Sequence, residues 1–147
     1  MANGVAAAWP VEEIADGEVL FRRVHRNWFF PNGTLNPGAF RDYEMSTDWH
    51  RYSSAEEARQ RARKPHETAI VSLVAGEVRR IDGQHVQHAP ISDNRAHTNV
   101  VGDKSTRVRQ RLVDVCKMEL TIPTGNEQEA DRALDRSVAP SCLVAIS

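Results

Sequence analysis

Residues 68–75 read Thr68-Ala69-Ile70-Val71-Ser72-Leu73-Val74-Ala75. A run this rich in β-branched and apolar side chains predicts a central strand. The stretch before it, Ser53 to Lys64 (SSAEEARQRARK), predicts a helix. Ser53 or Ser54 caps it, and Glu56 and Glu57 suit the positive end of its dipole. Arg61, Arg63 and Lys64 suit the other end, and Pro65 stops it. Its apolar content is only Ala55, Ala58 and Ala62, a thin stripe that predicts a helix on the surface.

Working outward, residues 18–24 (EVLFRRV) predict a first strand centred on Leu20 and Phe21. Residues 25–40 are rich in Pro, Gly and Asn, with turn signals at Asn32-Gly33 and Asn36-Pro37-Gly38. Trp28, Phe29, Phe30 and Phe40 in that stretch are expected to pin the loop to the core. Downstream, Gly76 to Ile81 reads as a helical turn or a continuation of the strand. Residues 85–91 and 96–101 predict two short strands joined by Ser92-Asp93-Asn94-Arg95. Residues 104–117 predict the second main helix, with Val108, Leu112 and Val115 along one face and Asp103 as its cap. Beyond Met118, ELTIP reads as a strand, EQEADRALDRS as a short polar helix, and the last nine residues as an edge strand or a disordered end. These readings combine into one α+β domain over residues 18–118. Its sheet is mixed or antiparallel, with four to six short strands and two main helices. Residues 1–17 and 119–147 are read as extensions, the second partly ordered.

Length and composition agree with one soluble domain. The chain has 147 residues, 40% hydrophobic and 27% charged, with 19 Lys+Arg against 20 Asp+Glu for a net charge of −1. These values exclude a collagen-like fibre, global disorder and a disulfide scaffold. No apolar run approaches the roughly 20 residues that cross a bilayer. The acidic start lacks the basic region of a secretory signal, and Cys116 and Cys142 fit a reducing compartment. The expected location is therefore the cytoplasm, without a membrane partner. Near-neutral charge argues against nucleic acid as the main partner. The Lys104, Arg107 and Arg111 stripe is read as a solvated helix face.

Several polar clusters stand out. His85, His88, His97 and Asp93 have the donor types of a zinc site, yet the H-x2-H-x8-H spacing matches no standard zinc signature, and a strand sends His85 and His88 to opposite faces. No metal is assigned. His97 enters a strand directly after the Asp93-Asn94-Arg95 turn and has the chemistry of an acid or base near neutrality. On the first strand, Arg23 and His25 share one face and Arg22 takes the other. A half-buried arginine needs a carboxylate, so Asp42, Glu44 and Asp48 are expected partners, with an anionic ligand as the alternative. Cys116, on the apolar face of the second helix, is read as packing. The sequence has no Gly-rich phosphate loop, paired CxxC, metalloprotease helix or Ser-His-Asp spacing, so no cofactor is assigned.

Three blocks carry a resemblance: Leu20 to His25, Ala39 to Asp48, and His88-Ala89-Pro90 with Asn94 to Gly102. Together they resemble a scattered group of small bacterial proteins without an assigned activity. The loosely patterned tail is similar in style to products of mobile gene cassettes such as integron cassettes. The resemblance implies a bacterial, cytoplasmic domain. The order of an arginine on the first strand, an aromatic before Met-Ser-Thr, a helix and a strand is also similar to ADP-ribosyltransferases and RES-type NAD-degrading toxins. The later Glu or Ser of those families has no counterpart placed here, and Glu77 fits that role poorly.

The expected function is a binding or interaction domain for a small molecule or protein. Its site would combine the ligand-binding residues Arg23, His25, His88 and Asn94 with His97 and Asp48. The alternative is an enzyme acting on an NAD-like nucleotide, in which Arg23 holds phosphate and His97 or Asp48 is the catalytic base. A third expectation is a homodimer sealed by the apolar end and the aromatic loop.

Overall fold

Strand β1, Val19–His25, lies inside the sheet and decides what each face becomes. Leu20 and Val24 enter the main core, while Phe21 joins a smaller cluster on the opposite face. The computed structural model describes residues 9–123. It adds β2 (Glu44–Trp49), β3 (Thr68–Val74), β4 (His85–His88), β5 (His97–Val101) and β6 (Lys117–Leu120). They form one sheet in the order β4-β5-β2-β1-β3-β6, and every neighbouring pair is antiparallel. The fold is therefore a single α+β domain, with the antiparallel form of the two expected.

Among the described residues three α-helices accompany the sheet: α1 (Ala55–Gln60), α2 (Ala75–Arg79) and α3 (Thr106–Val115). The main core gathers Leu20, Met45, Trp49, Val71, Leu73 and Val100 from the strands with Val78, Val108, Leu112 and Val113 from α2 and α3. Phe40 is fully buried there, so the aromatic loop is pinned as expected; Trp28 and Phe29 are half-buried and Phe30 is exposed. Cys116 is also buried in this core.

Helix α1 departs from the surface role expected of it. Ala58 is fully buried and packs with Phe21 and Ile70 on the second face of the sheet. The thin alanine stripe is what allows this, because small side chains let a helix lie close to a sheet. The helix starts at a complete capping box. Ser54 Oγ accepts from the Glu57 amide at 3.0 Å, and Glu57 Oε1 accepts from the Ser54 amide at 2.8 Å. It is shorter than the 53–64 expected, since Arg61 already closes it.

Helix α3 is capped by Ser105 and not by Asp103. The preceding Lys104 is buried, and its ammonium donates to the Val100, Gly102 and Tyr43 carbonyls at 2.8–3.1 Å. Lys104 therefore leaves the solvated stripe it was assigned to and staples the turn before α3 to β5.

The stretch from residue 9 onward packs against the domain. Ile14 is buried in the main core, and the Asp16 and Glu18 carbonyls accept from the Gly76 and Ala75 amides at the start of α2. Those bonds satisfy amides that a helix start leaves open. The polar helix expected over residues 127–137 and the apolar end over 139–147 lie outside the described residues.

Candidate functional site

Beyond Phe21 the contact between β1 and β2 opens. Only Leu20–Trp49 and Phe21–Asp48 pair, whereas β1 and β3 pair along all seven residues of β1. Arg22 fills the gap by donating to the Ser46 carbonyl and the Ala39 carbonyl, both at 2.9 Å. Its Asp42 contact is 3.5 Å. Burial lowers the proton affinity of this guanidinium, and Asp42 opposes that effect. Arg22 is thus a structural plug that holds the two strands apart.

The other face of the same strands carries the polar group. Asp48 has no exposed surface. Its Oδ2 accepts from Arg23 Nη1 at 2.7 Å and from Arg61 Nη1 at 3.1 Å. Its Oδ1 accepts from Asn94 Nδ2 at 2.9 Å. Arg61 Nη1 also donates to Ser53 Oγ at 3.0 Å. A buried carboxylate requires such donors, and charge-assisted ones are the strongest. With all three in place and no exposed surface, Asp48 is a partner for cations, closed off from solvent by its own donors.

His97 lies directly opposite Asp48 in the β2–β5 register. Its Nδ1 is 2.8 Å from the Ala89 carbonyl and its Nε2 is 3.4 Å from Ser46 Oγ. A carbonyl only accepts, so the hydrogen of the neutral ring sits on Nδ1 and the Nε2 lone pair faces the Ser46 hydroxyl. His25 occupies the end of β1. Its Nε2 is 2.8 Å from Glu67 Oε1 and its Nδ1 accepts from the Asn27 amide. The His25 bond holds the Glu67 carboxyl below the usual carboxylate range.

Of the six residues assigned to one site, Arg23, Asp48 and Asn94 are bonded together, and His97 stands beside them across the strand pair. His25 is held two residues further along β1 by Glu67. His88 is elsewhere. Its ring packs edge-on against Trp49, with centroids 5.1 Å apart, and accepts from the Glu12 amide at 3.0 Å. Consecutive residues of a strand point to opposite faces, so a ring packed on Trp49 stands on the core side, away from Asp48. There His88 helps anchor residues 9–14, along with Tyr52–Glu12 and the Arg95 guanidinium over the Tyr52 ring. His85, His88 and His97 do not gather, and no group of three or more His, Cys, Asp or Glu among the described residues is placed to hold a metal ion. No helix among them is long and apolar enough to cross a membrane.

Arg61, Ser46 and Ser53 were not assigned to a site from sequence. Arg61 was visible only as a basic residue near a helix end, which is a favourable position regardless of any site.

No protein-family model, curated protein or solved structure matches the chain.

Proposed function

We propose that the chain is a binding domain whose site is the polar face around Asp48, and that its ligand carries an oxyanion such as a phosphate or carboxylate. One observation carries this reading: two guanidinium groups share one buried carboxylate. A single arginine neutralises Asp48, so the second leaves a surplus positive charge. Arg23 and Arg61 each spend only Nη1 on these bonds, and their side chains are 26% and 30% exposed. Their remaining N–H groups are donors for a planar or tetrahedral oxyanion. The Ser46 hydroxyl and the His97 ring add further polar groups on the same face.

Calorimetric titration with inorganic phosphate and with small carboxylates tests the proposal. Saturable binding is expected. Arg61→Gln should weaken it by about tenfold or more, which corresponds to one charge-assisted hydrogen bond. Circular dichroism confirms that the variant is folded. No binding of either anion class by the wild-type chain overturns the reading.

A second reading, catalysis on an NAD-like nucleotide, is favoured by the orientation of His97. Its Nε2 lone pair is poised to take a proton from the Ser46 hydroxyl or from a water, while Arg23 holds a phosphate. With Asp48 fully buried, His97 takes the role of base alone. Incubation with NAD tests this reading by nicotinamide release. The absence of both release and a thermal shift with NAD or ADP-ribose overturns it.

A further inference from the structure

A cleft of about 500 Å³ is lined by His25, Asn27, Trp28, Arg63 and Lys64. It is built by the same two segments that supply the arginines around Asp48. Arg23 and His25 are alternate residues on one face of β1, roughly 7 Å apart along the strand. Arg61, Arg63 and Lys64 follow one another in the turn after α1. The charge in the cleft is not balanced. Glu67 is engaged by His25 and is also near Arg26 and His66. Lys64 acts on Glu67 as well, without a contact as close as that of His25, and among the described residues Arg63 makes no ion pair.

The apolar wall is fixed. The Trp28 ring packs so closely on Gly38 that a Cβ there would fall 2.9 Å from it. The Arg41 guanidinium lies 4.6 Å from the centre of the same ring. An indole held in place beside the Arg63 and Lys64 cations suits a ligand with a planar ring and an anionic group.

We infer that the cleft and the Asp48 arginines form one extended site for a nucleoside diphosphate, its base against Trp28 and its phosphates on Arg63, Lys64 and the Arg23–Arg61 pair. This rests on the anion-binding reading above and names the ligand class of that site. The cleft volume falls within the range of small-molecule sites.

The test is a set of titrations of the full chain with phosphate, pyrophosphate, AMP and ADP. ADP is expected to bind at least about tenfold more tightly than pyrophosphate, because only ADP carries the base, and more tightly than AMP, because only ADP carries the second phosphate. The double variant Arg63→Gln, Lys64→Gln should weaken ADP binding by about tenfold or more. Both side chains lie outside the hydrogen-bonded core, so folding is expected to persist and circular dichroism checks it. If phosphate binds but ADP binds no more tightly than pyrophosphate, or the double variant leaves ADP affinity intact, this inference is overturned and the anion site stands. If phosphate does not bind but a small carboxylate does, this inference alone is overturned; if neither binds, both fall.

Discussion

Arg61 Nη1 lies 3.1 Å from Asp48 Oδ2, across a sequence separation of 13 residues. The carboxylate it reaches is completely buried, and Arg23 and Asn94 bond it from two other parts of the chain. One side chain therefore ties β1, the turn after α1 and the β4–β5 connection to β2. The same arrangement gathers two positive charges on one negative one. Structure and candidate chemistry rest on the same atoms.

Asp48→Asn should lower stability by about 3 kcal/mol, since removing one charge of a buried pair leaves the other uncompensated. Arg61→Gln should cost about 1 kcal/mol or less, because its partly exposed guanidinium can turn to water. Urea unfolding of both variants checks the contrast. Equal losses would mean that Asp48 does not organise the cluster.

Leu112→Ala should cost about 2–5 kcal/mol, because Leu112 is fully buried between α3 and the main core. Arg111→Ala, its exposed neighbour, should change stability by less than about 0.5 kcal/mol. Denaturant midpoints of the pair would show whether α3 packs through the stated face.

Burial lowers the Lys104 ammonium to about 8 from its ordinary 10.5. Between those values the unfolded chain holds a proton that the native state has released, so this residue makes stability rise with pH across that window. The native state is most burdened by the charge below pH 8. Lys104→Met should flatten the alkaline slope, measured as unfolding free energy between about pH 7.5 and 10. An unchanged slope would remove Lys104 as its source.

Glu67 works at the acid end. Its folded carboxyl is held below the ordinary 4.5 by the His25 bond, with desolvation opposing and Arg26 assisting. Its contribution is present above the unfolded value and is lost as pH falls through the folded one. Glu67→Gln should lessen the fall in thermal midpoint on acidification. A midpoint curve parallel to wild type would contradict this.

Gly102→Ala should destabilise by more than about 1 kcal/mol. Gly102 has φ +147°, and a Cβ there would meet the Gly83 carbonyl oxygen and the Gln84 side chain. Thermal unfolding compared with Gly83→Ala separates the two causes. Gly83 also has positive φ, +75°, but a Cβ there would meet nothing within 4 Å, so it should cost less.

Much of the architecture was legible along the chain. Thr68–Val74 reads as a central strand because its apolar run is local, and the Ser54–Glu57 capping box is complete within four residues. The α3 face, Val108 and Leu112, follows helical spacing for the same reason. Propensity, capping and periodicity act over a few residues, so sequence alone determines them. Arg23 as a half-buried arginine in need of a carboxylate was also readable, because an unpaired buried charge is prohibitive anywhere.

Which carboxylate it meets was not readable. Asp42, Glu44 and Asp48 were equal candidates until strand register placed Asp48 on the face of Arg23 and left Asp42 with Arg22. Arg61 joined only because α1 lies against the sheet, and His88 left the group because Trp49 points to the opposite face from Asp48. Sequence determined which residues need partners, through local energetics. Tertiary structure decided who the partners are, because register and helix placement come from burying side chains far apart in the chain.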